Sequence, residues 1–178
     1  MTIIYRKIIV IVCFLVSLIP AAGHTDTRKF QIDVLIFSQT ATATESLDMS
    51  DPAIKWPKNT TRPGQRSTQK LSTSSSTLSG AASTLGRKSK YTVLEHISWV
   101  QTIASERAGR PVRIQGTEVD GFVQLKRGAN LHLTIGFEYS PKNTDNTYTI
   151  SEQRRILFNQ RHYFDHPLFG VIVTVSPL

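Results

Sequence analysis

The chain has 178 residues, with 21 basic and 13 acidic side chains and a formal charge of +8. One cysteine, Cys13, excludes an intrachain disulfide and any multi-thiolate metal site. A positive surplus favours an anionic partner: phosphate, wall-peptide carboxylates or another acidic surface, among which charge alone does not choose.

The N-terminus, "MTIIYRKIIVIVCFLVSLIPAAG", reads as a signal peptide over residues 1–23. Arg6 and Lys7 form the positive region, Ile8 to Ile19 the apolar region, and Ala21-Ala22-Gly23 the small residues before cleavage. The apolar run covers 12 residues and stops at Pro20, short of the roughly 20 that a spanning helix needs. Cleavage is expected after Gly23, with Ala22 as the alternative, and no stable membrane insertion after it. Cys13 follows Val12 rather than a small residue, so a lipid anchor is not expected. Residues 24–178 then form one domain without cysteine, carrying 19 basic against 13 acidic groups.

"KFQIDVLIF" (29–37) alternates at first and then turns solidly apolar, as a buried strand does. Residues 40–89 change character. They are rich in Ser and Thr, and between Pro52 and Leu94 they carry eight Lys or Arg and no acid. This predicts a flexible basic loop, either merely solvated or an arm for an anionic polymer. Leu71, Leu78 and Leu85 recur every seven residues, which allows a short helix, and Trp56 is placed to pin the loop to the domain.

The second half is far more ordered. "KYTVLEHISWVQT" (90–102) sets Tyr91, Val93, Glu95, Ile97 and Trp99 opposite Leu94, His96, Ser98 and Val100. "PVRIQG" (111–116), "GFVQLKRG" (121–128), "NLHLTIGFEY" (130–139) and "TYTISEQRRILF" (147–158) read as further strands, with a tight turn at "KRGAN" and a longer one at "SPKNTDN". "LFGVIVTVSP" (168–177) has the continuous β-branched character of a central strand. The fold class expected is α+β, mostly β: an antiparallel sheet of about six or seven strands with one or two short helices.

No phosphate loop, nucleophile elbow or paired-cysteine site is present. His162 and His166 are four apart with Asp165 between them, but Pro167 holds His166 extended, which disfavours a helix-borne metal site. No metal and no cofactor are expected. "HYFDHP" reads first as a polar corner and second as a binding edge. Arg154 and Arg155 lie on opposite faces of a strand, so one guanidinium should turn inward toward a carboxylate such as Glu152 or Glu95, leaving the other free for a ligand. Aromatic faces offer stacking surfaces to a ligand, and cations pair with its carboxylates. The candidate ligand groups are therefore Tyr91, His96 and Trp99 on one strand, and Arg154, Arg155, His162, Tyr163 and His166 around the corner, brought together by neighbouring strands.

"KFQIDVLIFSQ", "YTVLEHISWVQ", "PVRIQG", "NLHLTI" and "ISEQRRILFNQRHYFDHPLFGVIVTVSP", in this order, resemble the CsiV-type periplasmic proteins of gammaproteobacteria. The Ser/Thr-rich stretch departs from the longer members. The resemblance implies a non-enzymatic periplasmic protein that binds peptidoglycan and supports a bifunctional penicillin-binding protein through its outer-membrane lipoprotein activator, with no nucleic-acid partner. The competing readings are a periplasmic hydrolase using the His/Asp cluster and a structural subunit of an envelope complex.

Overall fold

A computed structural model describes residues 26–40, 53–142 and 144–178. The expected signal peptide, its cleavage site and residues 41–52 of the expected loop lie outside them. Among the described residues ten strands form two antiparallel sheets of five strands each. The first contains β1 (Thr27–Gln39), β2 (Thr68–Leu71), β3 (Tyr91–Ala104), β9 (His162–His166) and β10 (Phe169–Pro177), in the order β2-β3-β1-β10-β9. The second contains β4 (Arg107–Ala108), β5 (Val112–Gln115), β6 (Val119–Arg127), β7 (Leu131–Tyr139) and β8 (Tyr148–Ile156), in the order β4-β6-β7-β8 with β5 also paired to β6. One helix, α1 (Ser79–Gly86), and a 3-10 turn at Thr73–Ser75 complete the described elements. The mostly β, antiparallel character is as expected; the expected six or seven strands are corrected to ten.

The three unforeseen strands are short and polar. β2 is "TQKL", β4 has two residues, and β9 is the stretch that reads as a corner. Each lies at an edge and is specified by pairing to a longer strand: β2 to β3, β4 to β6, and β9 to β10.

The core lies between the sheets. Phe30, Ile32, Val34 and Ile36 of β1 and Val171, Val173 and Val175 of β10 face Val123 and Leu125 of β6 and Leu133, Ile135 and Phe137 of β7, all buried. The other face of β1 is buried too, which accounts for its solid apolar run: Asp33, Leu35 and Phe37 lie under a cover. The rings of Tyr91 and Tyr163 cover Phe37, and part of the Ser/Thr-rich stretch covers Asp33. Leu78, at the start of α1, is fully buried, and Ser76 nearly so. The Asp33 carboxylate accepts hydrogen bonds from the Thr77 backbone N–H (3.0 Å), Thr77 Oγ1 (2.7 Å) and Ser98 Oγ (2.5 Å). Thr77 Oγ1 also meets Thr174 Oγ1 of β10 at 2.8 Å. Residues 53–89, expected as part of a flexible basic loop with room for a short helix, carry β2, the 3-10 turn and α1. One carboxylate and one leucine anchor a segment whose own apolar content is too low to signal burial.

The same stretch closes one side of the sandwich. Ile54 is buried, Trp56 packs on Phe122 of β6 (5.9 Å between centroids), and Thr61 pairs with Val112 of β5 before the chain crosses to β2. Trp56 therefore pins this segment to the second sheet.

Candidate functional site

Pairing between β1 and β3 shifts at Ile36/Phe37. Ile36 lies opposite Glu95 while Phe37 lies opposite Val93, so Leu94 is an extra, bulged residue. A bulge exchanges the faces of the residues beyond it. Trp99 and Ile97 point between the sheets, but Tyr91 joins the outer face, where His96 and Ser98 lie opposite Leu35 and Asp33. The expectation that Tyr91 and Trp99 share a face is thereby corrected. Trp99 is fully buried, with Nε1 donating to Gln101 Oε1 at 3.4 Å, and is unavailable to a ligand in the folded chain.

On the outer face Tyr91 meets the edge of Phe37 (5.5 Å, 87°), and Tyr163 of β9 stacks on the same Phe37 (6.1 Å, 9°). Gly170 of β10 lies between them. A Cβ there would sit 2.7 Å from both Phe37 Cζ and Tyr163 Cε2, so the missing side chain is what lets the rings meet across an intervening strand. Tyr91 and Tyr163 are thus brought together through a phenylalanine that the sequence reading did not single out.

Tyr163 is 44% exposed. Its hydroxyl donates to Asp165 Oδ1 at 2.5 Å. Burial first, then the bond and charge of Asp165, push its phenol well above the usual tyrosine range, so it stays a neutral ring. Lys90 Nζ lies 4.9 Å from the Tyr91 centroid, and Gln39 Nε2 donates to the His166 carbonyl at 2.9 Å. Beside this row a cavity of about 330 Å³ opens at the end of the sandwich, with Gln39, Lys90, Tyr139, Tyr148 and Leu168 in its wall. A neutral aromatic surface with an ammonium beside it suits the apolar face of a sugar and a nearby carboxylate.

The other corner residues mostly brace the fold. Arg154 turns toward the inner side: its guanidinium lies 3.7 Å from the Phe164 centroid, it donates to the Tyr163 carbonyl, and its Nε is 4.0 Å from Glu152 Oε2. It joins the β8 edge of one sheet to the β9 edge of the other, and Glu152 is the carboxylate at hand. Arg155 points from the opposite face of β8, beside His132, and shares no surface with Tyr163. His162 Nε2 meets the Leu157 carbonyl at 3.0 Å and closes the β8–β9 turn. His166 accepts from the Leu168 N–H at Nδ1 (3.2 Å) and packs against Tyr148 and Phe169. His162, Phe164 and His166 alternate with Tyr163 and Asp165 along β9, which sends the two imidazoles and the carboxylate to opposite faces. His96 sits on the outer face with Nε2 buried and without a hydrogen-bond partner; burial holds its pKa below the usual histidine range against the opposing charge of Asp33. Among the described residues no group of three His, Cys, Asp or Glu could hold a metal ion, and no helix is long and apolar enough to cross a membrane.

Comparison with known proteins adds one finding. No curated protein and no solved structure matches the chain. A family model described as "Peptidoglycan-binding protein, CsiV" matches residues 5–178, which takes in every strand of both sheets. The chain belongs to the CsiV family of peptidoglycan-binding proteins.

Proposed function

We propose that this is a non-enzymatic periplasmic protein that binds peptidoglycan and supports cell-wall synthesis by a bifunctional penicillin-binding protein, working through that enzyme's outer-membrane lipoprotein activator. The family match over residues 5–178 carries the reading. Three features support it. The signal-like N-terminus fits export, the basic surplus fits an acidic wall polymer, and the Tyr91–Phe37–Tyr163 row with Lys90 offers ring faces and a cation side by side. The catalytic alternative gains nothing from the corner, where each histidine is engaged by backbone in its own turn and Asp165 is held by Tyr163.

The test is sedimentation of the purified chain with insoluble sacculi at low and high salt. The wild type is expected to co-sediment, and more weakly as salt rises. Tyr91→Ala with Tyr163→Ala is expected to weaken binding about ten-fold while the protein stays folded. Failure of the folded wild type to sediment with sacculi at low salt would remove the reading.

A further inference from the structure

A second cleft lies where β2 and β3 of the first sheet approach β5 of the second. It holds about 260 Å³, and its wall includes Arg62, Lys70, Glu95 and Arg113. The fold builds it deliberately from distant pieces: Thr61 pairs with β5, β2 pairs with β3, and the chain between them arches over the gap. Arg62 Nη2 is steadied by Gln115 Oε1 at 3.1 Å. Arg113 is committed to Asp120, both nitrogens of its fork on the carboxylate, and lies 5.1 Å from the ring of Trp56. Trp56 is 38% exposed, so an aromatic surface adjoins the cleft.

Glu95 is the unusual member. Its carboxyl lies against the Cα of Gly116, where a Cβ would sit 2.3 Å from Oε1. No hydrogen-bond donor among the described residues engages it. Burial raises its pKa, and only the charge of Lys70 opposes this. The cleft thus presents a half-buried carboxyl that no donor among the described residues holds, with the Lys70 ammonium and the Arg62 guanidinium in the same wall, so an anion and two cations face one small volume.

We propose that this cleft holds a zwitterionic amino-acid group, an ammonium and a carboxylate on one carbon, as at a free amino-acid centre of a wall stem peptide. Glu95 takes the ammonium, and Lys70 and Arg62 take the carboxylate. Arg113 and Trp56 form the rim along which the rest of the ligand lies. The inference rests on the peptidoglycan reading and adds to it which chemical end of the polymer is held. Four residue steps along β3, about 13 Å of strand, separate Glu95 from Tyr91, and the bulge at Leu94 sets them on opposite faces, so a polymer that touches both surfaces passes around the edge of β3.

The test uses the same sedimentation with three sacculus preparations: native, N-acetylated to block free amines, and amidated to neutralise carboxylates. For the wild type, each modification is expected to weaken binding about ten-fold, as loss of a charge-assisted contact does. Glu95→Gln is expected to bind native sacculi as weakly as the wild type binds acetylated ones, and to be indifferent to acetylation. Lys70→Gln with Arg62→Gln, both at exposed positions, should lose its sensitivity to amidation. Gly116→Ala displaces the Glu95 carboxyl without removing it, and should copy Glu95→Gln. Equal binding of the wild type to native and acetylated sacculi overturns the proposal, as does a Glu95→Gln protein that still discriminates between them. A wild type that binds no preparation removes the peptidoglycan reading itself, and this inference with it.

Discussion

The contact between Asp33 and Thr77 allows a direct measurement of how firmly the Ser/Thr-rich segment belongs to the fold. Asp33→Ala removes the acceptor for two donors of Thr77 and for Ser98 Oγ, and Asp33 and Ser98 are both fully buried. A hydrogen bond to a charged acceptor contributes about 1.5–3 kcal/mol, and an orphaned buried donor costs about 1–3 kcal/mol. Thr77 is exposed and regains water, and the three bonds share one acceptor, so the losses do not add in full. The net expectation is about 3–4 kcal/mol. In a domain of this size 1 kcal/mol moves the melting temperature by about 2–4 °C, so a drop of roughly 10 °C is expected. Leu78→Ala, at a fully buried site, should cost about 3 kcal/mol by a separate mechanism. Thermal melts followed by circular dichroism measure both. The same carboxylate gives a pH signature. Burial alone would raise its pKa, but the bonds from Ser98, Thr77 and Gln31 outweigh that and hold it below the ordinary 3.8. A carboxylate with a depressed folded pKa stabilises fully above the unfolded value, and the gain disappears as pH falls through the folded one. The difference between wild type and Asp33→Asn should therefore be constant down to about pH 5 and shrink below about pH 4. Replacement of residues 72–86 by a short linker without loss of melting temperature would refute the whole argument, because the segment would then be an ornament on the sheet.

Three further outcomes are expected. Gly170→Ala should destabilise by about 1–3 kcal/mol and change the near-ultraviolet tyrosine signal, since its Cβ meets Phe37 and Tyr163 at 2.7 Å. Trp99→Ala should cost about 3–5 kcal/mol in a melt yet leave sacculus binding per folded molecule unchanged, because the ring lies between the sheets. Arg155→Ala, on an exposed face remote from Tyr163, should stay within about 0.5 kcal/mol of the wild type and sediment with sacculi as it does.

Five of the ten described strands announce themselves by period-two alternation between turn residues, because each has one face in the core, and β1 and β10 do so by continuous apolar runs. β2, β4 and β9 do not. A polar edge strand such as "TQKL" carries no pattern of its own and exists through the backbone groups that β3 offers it. The segment after it is illegible for a related reason. Its composition describes a chain unable to bury itself, and that is correct for the segment alone. What holds it is a carboxylate placed forty-four residues away on β1, which reads in sequence as one polar residue interrupting an apolar strand. The interruption was the signal: a charge in the middle of "QIDVLIF" must be satisfied by something, and a Ser/Thr-rich stretch is the natural donor.

The candidate site fails to be legible through backbone irregularity rather than through composition. Alternation along β3 assigns Tyr91 to the face of Trp99, and a single bulged residue at Leu94 reverses the assignment. The consequence is chemical. With strict alternation Tyr91 would lie on the inner face, the face of Trp99, and could not meet Phe37; with the bulge it meets Phe37 on the outside, on the same ring that Tyr163 stacks on. Gly170 then does for β10 what the bulge does for β3. In a run of β-branched residues a glycine weakens the strand, and it is tolerated where another group needs the volume. Here two rings use it. Gly116 bears the same relation to the Glu95 carboxyl. The two surfaces with ligand chemistry therefore coincide with two positions where a missing Cβ is filled by a functional side chain from another strand. The chain belongs to a family described as peptidoglycan-binding, and both of the proposed contact surfaces lie at these local departures from regular strand geometry.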